Sequence, residues 1–301
     1  MTALDERDFA RLRELRARRP EEIVGAYAAR RRRPLLGADG RLLIVAADHP
    51  ARGSLAIGSD SMAMADRYDL LDRLATALRD PRVDGVLGTP DILDDLAALG
   101  LLDDKVLVGS MNRGGLRGAE FEMDDRYTGH DVETMVDRGI DFAKTLVRVN
   151  LADAGTAPTL EATARAVTAA ARAGLPIMLE PFISEWRDGR IVNDLSPDAV
   201  ISSVAIASGL GADSSRTWMK LPVVDDMERV MAATTMPTLL LGGDGAGDPE
   251  AMYASWERAL ALPGVVGLTV GRNLLYPADG DVAGAVDTAA RLVHTTDSVS
   301  A

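Results

Sequence analysis

Cysteine is absent from all 301 residues. That excludes disulfides, thiolate nucleophiles and cysteine-ligated zinc or iron–sulfur centres together. Histidine occurs only at His49, His130 and His294, with no two at helical ligand spacing, so a zinc-dependent mechanism and a bound metal are not expected. Aromatic residues make up 4% of the chain. None of them interleaves with the one basic run, Arg30–Arg33, so the stacking platform of single-strand binders is missing. A net charge of −13 argues further against a nucleic-acid surface. The run, with Arg11, Arg13, Arg16, Arg18 and Arg19 before it, reads instead as cations at the C-terminal ends of two opening helices, where the helix dipole favours them. No run of about 18 uncharged apolar residues is present, and the charged start (Asp5, Glu6, Arg7, Asp8) has no stretch of signal-peptide type. No membrane partner is expected, and a cytoplasmic location is.

Lysine is the most informative scarcity. Of 33 lysines and arginines together, only Lys105, Lys144 and Lys220 are lysine. Arginine stays protonated and forms no imine with a ketone, whereas lysine is deprotonated by suitable surroundings. A lysine inside an apolar strand therefore invites a chemical explanation. Lys105, between Asp104 and Val106, reads as an ordinary surface lysine ahead of a strand.

What is abundant is apolar material, 47% of the chain, arranged in short runs. Eight of them, at 42–47, 83–87, 106–109, 142–149, 177–179, 217–221, 238–241 and 265–270, read as near-continuous Val/Ile/Leu strings, the pattern of parallel strands covered on both faces. A helical candidate follows each, at 65–78, 91–99, 131–137, 160–173, 197–208, 225–233, 249–260 and 282–294, several with capping signals such as Ser196-Pro197-Asp198 and Gly247-Asp248-Pro249. With no glycine-rich nucleotide turn after the first strand, the alternation predicts an α/β fold, a (β/α)8 TIM barrel over residues 35–301. Two helices, at 6–18 and 20–32, form an N-terminal helical extension over residues 1–34. One connection, residues 110–130, is too long for a plain turn and is expected to act as a substrate lid, with a plain surface excursion as the alternative.

Barrel enzymes place their chemistry at the C-terminal strand ends. Here these hold Asp48-His49, Lys144 with Arg148, Glu180, Lys220, Gly242-Gly243-Asp244-Gly245 and Gly271-Arg272. A strand-end lysine can simply pair with an acid. Lys144 and Lys220, however, lie two strands apart, and alternate strands share interior layers. Burial and a neighbouring ammonium both disfavour protonation, so either can supply an amine nucleophile, while Glu180 and Asp48 can move protons. Gly242, Gly243 and Gly271 would let backbone N–H groups approach a phosphate, with Arg272 adding a charged fork; ordinary turn chemistry is the alternative. His49 is either an acid/base group or a satisfied hydrogen-bonding partner. His130 and His294 look incidental. Arg148 should point inward with Lys144 and, with Arg113 and Arg117 of the long loop, would suit an acidic aldehyde fragment; the structural alternative pairs Arg148 with Glu180 or Asp48.

In family order, the segments Ala47-Asp48-His49, Gly139-Ile140-Asp141-Phe142-Ala143-Lys144, Leu179-Glu180-Pro181-Phe182, Thr217-Trp218-Met219-Lys220 and Gly267-Leu268-Thr269-Val270-Gly271-Arg272-Asn273 resemble the class I, Schiff-base aldolase superfamily. The likeness is greatest to its tagatose-bisphosphate, sulfofructose-phosphate and deoxyribose-phosphate aldolase branch. The resemblance implies that Lys220 forms the imine with Lys144, Glu180 and Asp48 around it, and that Gly243, Gly271 and Arg272 hold a substrate phosphate. Two departures stand out. Where relatives carry a tyrosine late in the fourth strand, this chain reads Thr145-Leu146-Val147-Arg148-Val149, which passes the proton-donor role to Glu180. The loop Asn112–Arg117 also differs.

The resulting expectation is cleavage of a phosphorylated ketose or keto sugar acid, a role in carbohydrate metabolism, with release of dihydroxyacetone phosphate and an aldehyde. No cofactor is required, the partner is a small sugar phosphate, and a homo-oligomer is expected. A lysine-dependent acyl transferase on a phosphorylated diketone and a non-catalytic phosphosugar-binding barrel are the alternatives.

Overall fold

The computed structural model describes residues 2–112, 115–243 and 248–294. Two helices come first, α1 (Glu6–Arg18) and α2 (Pro20–Ala29). Asp5 caps α1 in a reciprocal capping box with Asp8, so two of the free N–H groups at that end are satisfied locally. Phe9, Leu12 and Leu15 line the buried face of α1, and Ile23 and Tyr27 that of α2.

The strands follow as β1 (Leu42–Ala46), β2 (Gly85–Gly88), β3 (Val106–Ser110), β4 (Phe142–Val149), β5 (Ile177–Arg187), β6 (Arg190–Asn193), β7 (Thr217–Pro222), β8 (Thr238–Leu241) and β9 (Val265–Val270). All but β6 pair in parallel, and β4 pairs with both β3 and β5, which closes an eight-stranded barrel. Around it lie α3 (Arg67–Leu78), α4 (Pro90–Ala98), α5 (Val132–Asp137), α6 (Thr156–Arg172), α7 (Pro197–Ser208), α8 (Met227–Met231), α9 (Pro249–Leu260), the single turn α10 (Arg272–Leu275) and α11 (Val282–Val293). This is the (β/α)8 TIM barrel that the strand–helix alternation predicts. No helix among the described residues is long and apolar enough to cross a membrane.

Two features depart from expectation. The fifth strand does not end at Leu179: it runs on to Arg187 and folds back as an antiparallel hairpin with β6. Asp188 and Gly189, with φ of 50° and 71°, make the tight turn that Asp-Gly favours between paired strands. The basic run Arg30–Arg33 lies beyond the end of α2, whose last turn holds no cation. Its residues pair with carboxylates instead, Arg30 and Arg32 with Asp141, Arg31 with Asp103 and Asp104, and Arg33 with Asp84.

The barrel interior is layered. Leu42, Ile44, Ala46, Leu87, Val106, Val108, Phe142, Met178, Trp218 and Leu239 pack as one cluster, separate from the larger core between strands and helices. Phe142 meets Trp218 edge-on with ring centroids 5.1 Å apart. Side chains two residues on along a strand share a face. The residues one step above this plug are Asp48 over Ala46, Ser110 over Val108, Lys144 over Phe142, Glu180 over Met178 and Lys220 over Trp218. Five polar side chains therefore rest on a dry apolar floor at the C-terminal end of the barrel.

Candidate active site

In this polar layer Lys144 Nζ lies 3.0 Å from Asp48 Oδ2 and 2.6 Å from Glu180 Oε2. Lys220 Nζ lies 2.7 Å from Glu180 Oε1. Ser110 Oγ adds a 3.3 Å hydrogen bond to Asp48 Oδ2. All four charged groups are buried. The chain Asp48–Lys144–Glu180–Lys220 thus alternates in sign, and the predicted residues Asp48, Lys144, Glu180 and Lys220 are brought together.

The two ammonium groups are not equivalent. Burial pushes both toward the neutral amine. For Lys144, the carboxylates of Asp48 and Glu180 outweigh burial and raise its pKa above the ordinary lysine value. For Lys220, burial wins over Glu180, the Lys144 charge adds to it, and the pKa is lowered. Glu180, despite burial, is held at about 2 by Lys144 and Lys220. Asp48 is likewise held well below the carboxylate range, chiefly by Lys144 against the cost of burial. The surroundings thus push the two lysines in opposite directions, Lys144 toward the ammonium and Lys220 toward the amine.

His49 is buried beside Asp48, with Nδ1 at 3.9 Å from Asp48 Oδ1 and without a hydrogen-bond partner among the described residues. Burial, with the charges of Arg52, Arg272 and Lys220, drives its pKa well below the usual imidazole value. It is a neutral imidazole, packed on Gly271: a Cβ at Gly271 would come within 2.8 Å of His49 Cε1 and collide with the Ala46 carbonyl. Only glycine lets the β9 end approach β1 so closely. Arg272 reaches across to the β8 end, donating from Nη2 to Gly243 O at 3.3 Å. Gly243 is exposed in the left-handed region, φ 78°, with open space beside it. Gly242 is packed against Val270 and Trp256. Asp244 and Gly245 lie outside the described residues.

The long loop after β3 is strapped to β4. Asn112 brackets the Leu146 backbone, donating from Nδ2 to its carbonyl at 2.7 Å and accepting its N–H at 2.9 Å. Tyr127 Oη meets Thr145 Oγ1 at 2.6 Å. Arg148 Nη1 lies 2.7 Å from Glu122 Oε1, and its Nη2 donates to the Glu122 carbonyl. The predicted alternatives for Arg148 are thereby corrected: its carboxylate is neither Glu180 nor Asp48 but Glu122 of the loop. Arg113 lies outside the described residues, and Arg117 turns to Ser54.

The reading of Lys105 as a surface lysine changes, and the two remaining histidines stand away from the lysine cluster. Lys105 is buried, its Nζ donating to the carbonyls of Val83 at 2.6 Å and Asp80 at 3.2 Å, so it is a structural lysine below β3. His294 is ion-paired with Asp39 and Asp84 at 2.6 Å and 3.2 Å. His130 is buried, and neither ring nitrogen has a hydrogen-bond partner among the described residues.

Sequence reasoning passed over Arg52 and Asp125. Arg52 closes a short 3-10 turn, Pro50–Arg52, directly after His49; its place three residues past His49 of the strand-end motif was the available signal. Asp125 is buried on the loop, accepts from Asn112 Nδ2 at 2.9 Å and is raised by burial to about 6; nothing in its local pattern marks it. Among the described residues no group of three or more histidine, aspartate and glutamate side chains is arranged to hold a metal.

The Cgl0159-like family matches this sequence over residues 40–290. The crystal structure of Cgl0159 from Corynebacterium glutamicum is 71% identical, with a TM-score of 0.96 over 98% of this chain and 99% of that one. An archaeal fructose 1,6-bisphosphate aldolase is 23% identical, with a TM-score of 0.62 over 90% of this chain and 98% of its own. A Schiff-base-forming fructose-1,6-bisphosphate aldolase is 22% identical, with a TM-score of 0.64 over 90% and 100%. At these identities the last two likenesses concern the fold. No curated protein matches the chain.

Proposed function

This chain belongs to the Cgl0159-like family, and from the site it carries we propose that it is a class I aldolase in which Lys220 forms the imine. The observation that carries this reading is the sharing of Glu180 by two buried lysines, Lys144 with its pKa raised and Lys220 with its pKa lowered. A structural charge cluster needs no such difference. A Schiff-base enzyme needs both an amine free to attack and a fixed acid beside it. The shared shape with a fructose bisphosphate aldolase that forms a Schiff base agrees with this chemistry.

In the proposed reaction the neutral Lys220 amine adds to the ketone carbonyl of a phosphorylated ketose. The Lys144 ammonium, one carboxylate away, supplies the proton that lets the carbinolamine oxygen leave as water. Asp48 or Glu180 removes the proton from the hydroxyl two carbons from the imine. The bond between the intervening carbon and that hydroxyl-bearing carbon breaks, giving an aldehyde, and its electron pair passes into the protonated imine to form an enamine. Protonation of the enamine carbon and addition of water return Lys220 and release the ketone, dihydroxyacetone phosphate. Its phosphate is assigned to Gly243, Gly271 and Arg272, where the exposed Gly243 backbone and the Arg272 guanidinium meet across the β8 and β9 ends. His49, neutral and buried between this corner and Asp48, orients rather than carries charge.

Lys220→Arg keeps the positive charge but removes the nucleophile. It is expected to abolish release of dihydroxyacetone phosphate, read by a coupled reductase assay, with the circular dichroism spectrum unchanged. Turnover at the parent rate would overturn the assignment.

A further inference from the structure

The two buried carboxylates do not use their oxygens alike. Glu180 gives Oε1 to Lys220 at 2.7 Å and Oε2 to Lys144 at 2.6 Å. Asp48 takes two donors on one oxygen: Oδ2 lies 3.0 Å from Lys144 Nζ and 3.3 Å from Ser110 Oγ. Its Oδ1 has no hydrogen-bond donor among the described residues, since His49 Nδ1, at 3.9 Å, is out of reach. The second donor comes from the last residue of β3. Ser110 is buried and stands opposite Lys144 in the register of β3 and β4. Its hydroxyl has one proton and two acceptors, Asp48 Oδ2 and the Asn112 carbonyl at 2.9 Å. Asn112 is the residue by which the long loop clasps the Leu146 backbone. Ser110 therefore sits where the loop meets the carboxylate.

An oxygen that already carries an ammonium and a hydroxyl is a weaker proton acceptor than one with no donor, and two donors on one oxygen fix the torsion of the whole group. We infer that Ser110 is a positioning residue for proton transfer: it holds Asp48 by Oδ2, which leaves Oδ1 to take the proton of the substrate hydroxyl and to return it to the enamine carbon. This deepens the aldolase reading, on which it rests, by choosing between its two carboxylates. The substrate O–H bond breaks as Oδ1–H forms, and the carbon–carbon electron pair passes into the protonated imine. After the aldehyde leaves, the same proton moves from Oδ1 to the enamine carbon and the protonated imine is restored. While Asp48 carries the proton it no longer attracts the Ser110 hydroxyl, which turns fully to the Asn112 carbonyl. The buried hydroxyl thus keeps an acceptor in either state, and neither state leaves it unsatisfied. Ser110 touches no reacting atom. Without its hydroxyl, Asp48 would hang on the Lys144 contact alone and turn about it.

The test uses the full chain with dihydroxyacetone phosphate alone. Borohydride trapping reads imine formation. Replacement of one hydroxymethyl proton by deuterium in heavy water, followed by proton NMR, reads proton transfer at the carbon that would bond the aldehyde. The readout is the ratio of exchange rate to trapping rate, because damage to folding or binding lowers both together. Ser110→Ala is expected to lower this ratio about tenfold, a part of what a positioned base supplies. Ser110→Thr, which keeps the hydroxyl, should restore most of it. A ratio unchanged in Ser110→Ala, or as low in Ser110→Thr as in Ser110→Ala, overturns the inference. Failure of the Schiff-base reading shows separately, as a parent chain that borohydride does not label, and it takes the inference with it.

Discussion

Lys220 Nζ and Glu180 Oε1 lie 2.7 Å apart in a buried pocket, yet the Lys220 pKa is lowered, because burial and Lys144 together outweigh that contact. The carboxylate therefore holds the amine in place while burial and Lys144 oppose its protonation. This follows from Glu180 dividing its two oxygens between two lysines while Asp48 serves only Lys144 at close range.

The sign of the pH dependence follows. Lys220 reacts as the neutral amine, so imine formation should fall as pH drops through its lowered pKa. Lys144→Met removes the neighbouring ammonium and leaves Glu180 to Lys220 alone, so the Lys220 pKa should rise. Rates of borohydride labelling with dihydroxyacetone phosphate across pH are expected to show the acidic limb moved to higher pH in this variant. A limb that stays in place or moves lower would mean that Lys144 does not tune Lys220.

The loop is held by a buried ion pair between strand and loop, Arg148 with Glu122. Removing one partner takes from the other buried charge the contact that most directly offsets its desolvation. Arg148→Met or Glu122→Gln alone is expected to cost about 3–5 kcal/mol in urea unfolding, and the double substitution clearly less than the sum. Additive losses would show that the pair is not coupled.

At the opposite end of the barrel His294 joins the end of α11 to Asp84 and Asp39. The hydrogen bond to Asp84 is the main cause of a pKa raised to about 9 from the usual 6.5, with Asp39 adding and burial opposing. Because the folded pKa lies above the unfolded one, this contribution is fully present below pH 6.5 and is lost as pH rises through about 9. Melting temperatures should decline over that window in the parent, with a weaker decline in His294→Gln. Parallel curves would assign the decline to other groups.

Much of the barrel was readable from apolar runs alone, since parallel strands buried on both faces leave little else for a Val/Ile/Leu string to be. The strands at 142–149, 238–241 and 265–270 and the helix at 197–208 coincide with the structure. The hairpin beyond Leu179 went unread because Pro181 interrupts the run, although Asp188-Gly189 is a hairpin turn signal. Lys105 misled because its two aspartate neighbours suggest solvent, while its long side chain climbs to two carbonyls. The partner of Arg148 was hidden for another reason: Glu122 sits 26 residues away in a loop without periodicity. Asp48, Lys144, Glu180 and Lys220 were legible because a barrel turns the inward-facing side chains at its C-terminal strand ends toward one mouth.

The most direct measurement is reductive trapping. The full chain is incubated with dihydroxyacetone phosphate and sodium borohydride, digested and mapped by mass. With only Lys105, Lys144 and Lys220 to choose from, and Lys105 bound to carbonyls below β3, the site of attachment is unambiguous. The account predicts one equivalent of reduced adduct on the peptide containing Lys220. An unlabelled chain, or an adduct on Lys144 with Lys220 unmodified, would contradict it.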